Sequence, residues 1–202
     1  MKSLHRADLF GWDAFDRARN VDFNAVLWRR AGGNVVVDPM PLDEHDRAHL
    51  VELGGVAIVV VTNSDHTRAA AAIASEFGAT LVGPAQERDT FPFACDRWVS
   101  DGDEVAPNLV AFEVKGSKTP GELALLLEDT TLITGDLIRA HRAGQLMLLP
   151  DAKLTDKALA IASVVRLAAL PDIGAVLVGD GFSAWNDGKA LLRALASALS
   201  AG

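Results

Sequence analysis

Four apolar, strand-like runs end in an acid: VVVD at Asp38, VVVTNSD at Asp65, LITGD at Asp136 and LVGD at Asp180. The second is followed at once by an imidazole, His66. Carboxylates with one imidazole form a donor set for a divalent cation, and they are also the usual groups of general acid–base chemistry. Strands of α/β sheets carry their sites at one end, where loops leave the sheet. With these strands adjacent and their ends aligned, four carboxylates and His66 converge. Like charges packed together need a cation, a proton or a Lys/Arg partner. The plainer reading is turn chemistry: Asp commonly follows a strand, and Asp65 at a helix start is an N-cap.

The elements that must position these residues are readable as short apolar runs ended by Gly, Pro, Asn or Asp. They are NVVVDP (34–39), VAIVVVTN (56–63), ATLVGP (79–84), LVAFEV (109–114), ELALLLED (122–129), TLITGD (131–136) and AVLVGDG (175–181). ELALLLED and TTLITGD, split by a short polar turn, predict a hairpin. Helical patterns fall at 42–53, at 64–77 with Ser64 or Asp65 as cap and Gly78 as stop, at 155–170 and at 187–199. The first 34 residues hold strand-like pieces such as FNAVLW (23–28) and are the least legible part. The pattern predicts an α/β protein whose sheet is covered by helices.

The 202 residues predict one domain spanning 1–202. A formal net charge of −8 argues against a phosphate-backbone or anionic-membrane binder, so neither nucleic acid nor membrane is an expected partner. The single cysteine, Cys95, cannot form an internal disulfide, the opening residues lack the apolar core of a signal peptide, and VAIVVV (56–61) is too short to span a bilayer. A cytoplasmic protein is the expectation. The partner expected is a small-molecule substrate or ligand of unidentified type, and a homo-oligomer is left open.

The order and wording of these motifs resemble the metallo-β-lactamase-fold superfamily. That family has a strand ending in Asp-Pro, a strand leading to T-H-x-H-x-D-H, a helix and strand, a Gly-His-x-x-Gly segment, a hairpin ending in Gly-Asp, and a strand ending in Gly-His. This chain shows VVVDP, VVVTNSDHTRAAAAIASEFGATLVGP, KGSKTPGELALLLEDTTLITGDLI and AVLVGDG, in that order. Several motifs in one order are far more specific than any one alone. The resemblance covers residue 23 to the end and implies a four-layer αββα sandwich.

Residue by residue, the implied metal ligands are partly missing. Asn63 stands at the first histidine with the segment two residues short; an ungapped reading places Val61 and Asn63 at the two early histidines. Asp65 and His66 match the Asp-His pair, Ser117 replaces the third histidine, Asp136 matches the bridging aspartate, and Asp180 replaces the last histidine. One metal position is thereby dismantled. The other retains Asp65, His66, Asp136 and Asp180, with Asp65 and His66 as the candidate catalytic pair. This carboxylate-rich set implies a single divalent ion, Mn, Mg or Fe at least as readily as Zn. Asp38 is expected to orient a ligand, and Asn63, Ser117 and Lys118 to lie beside the pocket.

The resemblance thus implies a metal-dependent hydrolase with a mononuclear site. The alternative is a catalytically inactive binding protein on the same scaffold, its acids neutralised by Lys118, Arg68, Arg139 or His141. The two differ at Asp136→Ala. Under the first, metal and activity are lost together. Under the second, relief of carboxylate repulsion keeps stability level or raises it.

Other motifs carry less. HDRAH (45–49) places two histidines at i and i+4, but lacks the glutamate base of H-E-x-x-H proteases and reads as an exposed acidic helix. VGDGFSAWND is similar to a metal motif of haloacid-dehalogenase-like phosphatases, yet VVVDPMP lacks the second aspartate of their D-x-D nucleophile. Cys95 reads as a packed thiol. GSKTPG (116–121) offers an anion Lys118 and backbone N–H groups, but lacks Walker spacing, so no nucleotide cofactor is expected.

Overall fold

The computed structural model describes residues 1–201; Gly202, the last residue of the expected 1–202 domain, lies outside them. One seven-stranded sheet runs in chain order: β1 (Lys2–Ser3), β2 (Leu9–Asp16), β3 (Val21–Trp28), β4 (Val35–Val37), β5 (Ile58–Val60), β6 (Thr80–Pro84) and β7 (Arg97–Val99). The second sheet contains β8 (Glu104–Ala106), β9 (Leu109–Glu113), β10 (Leu123–Leu127) and β11 (Thr131–Thr134). A two-stranded ribbon follows, β12 (Ile138–Arg142) with β13 (Gln145–Leu148). Finally β14 (Ala175–Val178) completes the second sheet beside β11. The helices are α1 (Glu44–Glu52), α2 (Ala70–Phe77), α3 (Lys157–Ala169) and α4 (Gly188–Ser200).

The period-two alternation of side chains builds the layers. Val35, Val37, Val60, Leu123, Leu125, Leu127, Ile133 and Leu177 point between the sheets. Val36, Val59 and Val61 face Leu50, Ala70 and Ile73 on α1 and α2. Leu132, Val176 and Val178 face Val164, Leu167 and Leu192 on α3 and α4. Strands apolar on both faces must be covered on both, and a four-layer αββα sandwich is the result. The hairpin expected from ELALLLED and TTLITGD is β10–β11, in the register Ala124↔Thr134 through Leu127↔Thr131. β4, β5 and β6 pair in parallel, as do β11 and β14, so the loops that follow them leave at a common end of their sheets. Leu123 N–H donates to Thr62 O and Asn24 N–H to Gly179 O, tying the two sheets together at the site.

The helix expected over 64–77 is two pieces. A 3-10 turn, Ser64–His66, is capped by Asn63, whose side chain accepts from Asp65 N–H at 2.9 Å. Arg68 takes a left-handed backbone (φ 35) before α2 begins at Ala70. Asp65 is therefore not the cap, and its carboxylate is left to face solvent and Lys118. The other helices start where capping chemistry puts them, with Asp43 accepting from Asp46 N–H and Asp156 from Leu159 N–H. Among the described residues, no helix is long and apolar enough to cross a membrane.

Candidate metal centre

Asp38, His66, Asp136 and Asp180 lie at the common end of β4, β5, β11 and β14, each 3% exposed or less. One donor atom from each of His66, Asp136 and Asp180 falls within 4.8 Å of the other two. The glycines before the two late acids make this approach feasible. A Cβ on Gly179 would stand 2.7 Å from the His66 ring, and one on Gly135 would stand 2.9 Å from Thr62 Oγ1 and 3.0 Å from Asn63 Nδ2. Both Gly-Asp pairs are thus packing requirements of the site.

Asp38 sits directly behind His66. Its carboxylate accepts from Thr62 N–H at 2.8 Å, from Thr62 Oγ1 at 2.6 Å and from His66 Nδ1 at 2.7 Å. That leaves Nε2 aimed at Asp136, 3.5 Å away. A carboxylate that fixes the imidazole tautomer and orientation is the usual support of a metal-binding histidine. Asp38 holds a left-handed backbone (φ 47), and Arg68 Nη1 donates to its carbonyl at 3.1 Å. Two non-glycine residues with positive φ therefore meet at the site.

The electrostatics follow from burial and pairing. Burial pushes the His66 pKa down, but the charge of Asp38 and hydrogen bonds to Asp136 and Asp38 outweigh it and raise it to about 9. Burial pushes Asp136 up, yet His66 and Lys118 hold it well below the ordinary carboxylate range. Lys118 Nζ lies 3.2 Å from Asp136 and also pairs with Asp65. Arg139 pairs with Asp180, and Arg68 Nη2 lies 3.9 Å from Asp180 Oδ1. Asp180 Oδ1 is buried with no hydrogen-bond partner. An orphaned carboxylate oxygen beside an imidazole and a second carboxylate suits a divalent ion, so the donor set fits one.

The residues singled out in the sequence separate into groups. His66, Asp136 and Asp180 converge. Asp65 stands outside this buried group, about half exposed and paired with Lys118. Asn63 is fully buried and donates through Nδ2 to Asp136 at 3.3 Å, whereas Val61 faces the helices. Asn63 is thus the residue of the pair that points toward the site. Ser117 is fully buried, is not among the residues that line the cleft, and donates to Glu122. Lys118 is engaged by two carboxylates, which is at odds with the reading of GSKTPG as a free anion-binding loop. His141 lines the cleft without entering an ion pair with the acids among the described residues.

Two buried acids went unnoticed in the sequence. Glu122 accepts from Leu137 N–H at 2.7 Å and from Ser117; burial and the nearby Asp136 charge raise its pKa to about 7. Glu87 accepts from Ser64 N–H at 2.8 Å and Gly121 N–H at 3.2 Å. Their only sequence signal is an acid abutting an apolar strand. The Ser117–Glu122 and Asn63–Asp136 hydrogen bonds engage the two side chains that the resemblance sets against histidines.

The acids open onto a cleft of about 650 Å³ lined also by Arg19, Phe23, Met40, His141, Pro150 and Lys153. Phe23 is flanked by the guanidinium groups of Arg19 and Arg68, 5.5 and 5.4 Å from its ring centre. The two false leads resolve as expected. His45 and His49 lie on the acidic α1, with His49 edge-on to Phe10. Cys95 is half-buried, and burial with the Asp96 charge pushes its thiol up to about 11.

The fold is an αββα sandwich with a buried cluster of His66, Asp136 and Asp180 that could hold a metal ion. A family model for the metallo-beta-lactamase superfamily matches residues 1–199, and the chain belongs to that superfamily. Among curated proteins it is similar to a hydroxyacylglutathione hydrolase of Rhizobium etli, 31% identical over 129 residues, or 61% of this chain and 47% of that protein. The chain thus matches about half the length of this relative. Among solved structures it is similar to a metallo-beta-lactamase from Pontibacter korlensis (TM-score 0.75, 16% identity, 98% of this chain and 97% of that one). It is also similar to the metallo-beta-lactamase FIM-1 from Pseudomonas aeruginosa in its mono-zinc form (TM-score 0.70, 16%, 96% and 92%). A third neighbour is ETHE1 from Myxococcus xanthus (TM-score 0.64, 24%, 86% and 76%).

Proposed function

We propose that the chain is a metal-dependent hydrolase with one divalent ion held by His66, Asp136 and Asp180, acting on a small anionic ester or thioester. The carrying observation is the convergence of three buried donor side chains within 4.8 Å at the floor of a cleft. The mono-zinc form of one structural neighbour supports single-ion occupancy on this scaffold. The name of the curated relative supports a thioester.

A bound ion would supply Lewis acidity and ease deprotonation of water. The protein groups do the rest. Asp38 holds His66 with Nε2 facing the acids. Asp65, half-exposed on the cleft wall, accepts the proton of the attacking water. Arg19 and Lys153 give an acidic protein a locally positive entrance that concentrates anions. The chain loaded with Mn²⁺, Fe²⁺ or Zn²⁺ is expected to hydrolyse members of a panel of carboxylated thioesters and esters, and to prefer them over uncharged analogues. Absence of turnover with every ion would overturn this reading.

The second reading is a metal-free binding protein on the same scaffold. It is favoured by the pairing of Lys118 with Asp65 and Asp136 and of Arg139 with Asp180. Binding of the anionic panel without turnover or metal is its expected outcome.

A further inference from the structure

Each acid at the site already faces a cation. Asp38 has His66, Asp65 and Asp136 have Lys118, and Asp180 has Arg139. The two long cations differ in freedom. Arg139 lies on β12 with its side chain 9% exposed, beside an Asp180 that is 2% exposed. Lys118 is 29% exposed, on the segment between Gly116 and Gly121, at the end of a flexible four-carbon stem. It borders the open cleft and can leave its carboxylates by rotation alone. Arg139 lines the same cleft but is more deeply buried.

We propose that the Lys118 ammonium is a built-in cation that competes with a divalent ion for Asp136, so that loading the centre requires Lys118 to swing into the cleft. This rests on the one-ion reading above. The Asp136 carboxylate cannot serve an ammonium at 3.2 Å and a doubly charged ion at once without repulsion between the two cations, which is strong in a partly desolvated site.

The test is the Mn²⁺ dissociation constant of the full chain, read by electron paramagnetic resonance of free Mn²⁺, for the native protein, Lys118→Met and Lys118→Arg. Lys118→Met is expected to bind Mn²⁺ at least tenfold more tightly than the native protein, while Lys118→Arg, which keeps the charge, does not. Melting without metal guards against misfolding: Lys118→Met is expected to melt below the native protein and to recover on adding Mn²⁺. Equal affinities in native protein and Lys118→Met would overturn the proposal and leave the one-ion reading standing. Tight binding by Lys118→Met alone would uphold the competition and overturn the one-ion reading for the native chain. No binding by either would overturn both.

Discussion

Asp136→Ala is expected to abolish divalent-ion binding and turnover together, and to lower the stability of the metal-free protein by about 3 kcal/mol. The first part follows from position: Asp136 is the acid closest to His66 Nε2 and also receives Asn63 and Lys118. The second part is opposite to what the binding-protein alternative expects, in which removing one of several clustered acids relieves repulsion. The structure surrounds Asp136 with His66 and Lys118, which hold its pKa down, so its charge is attracted and not repelled. Its removal leaves those two cations facing an apolar methyl group. Chemical denaturation of metal-free native and variant protein measures the difference, and a variant of equal or greater stability would contradict it.

Asp38→Asn is expected to destabilise by about 3 kcal/mol, even though asparagine tolerates the left-handed backbone at this position. The buried carboxylate accepts three hydrogen bonds, from Thr62 N–H, Thr62 Oγ1 and His66 Nδ1, and supplies the charge that keeps His66 protonated. At roughly 2–4 °C per kcal/mol for a chain of this size, melting falls by roughly 6–12 °C. A pH signature accompanies the loss. The surroundings of His66 raise its pKa to about 9 in the folded state from the ordinary 6.5 of an unfolded chain, so the folded state binds more protons between these values. Its contribution is therefore complete below pH 6.5 and disappears as pH rises through about 9. Metal-free native protein should melt at progressively lower temperature from pH 6.5 to 9, and Asp38→Asn should flatten that slope. An unchanged slope would show that Asp38 does not govern the imidazole.

Much of this architecture is legible in the sequence because the chemistry is local. Buried strands announce themselves as β-branched runs, and the helical patterns at 42–53, 155–170 and 187–199 coincide with α1, α3 and α4 to within a few residues. The Gly135-Asp136 and Gly179-Asp180 pairs are visible as motifs, although the reason for each glycine, the closeness of His66 or Thr62, exists only in three dimensions. What was illegible is long-range. The break between the Ser64–His66 turn and α2 depends on Arg68, whose guanidinium reaches Asn24 O and Asp38 O across the fold. Glu122 reads as one more polar residue at a strand edge, and only the packing of β10 against β11 and the Ser117 loop buries it. Lys118 lies four residues from Glu122 in the chain, yet turns to the opposite set of acids.

The most direct measurement is the metal content of protein purified without an affinity tag, with its melting temperature in EDTA and in Mn²⁺ or Zn²⁺. A single-ion centre at His66, Asp136 and Asp180 gives about one ion per chain and several degrees lost in EDTA, as expected when a ligand binds only the folded state. No bound metal and no change in melting with any added ion would contradict that centre and leave the acids to Lys118, Arg139 and Arg68.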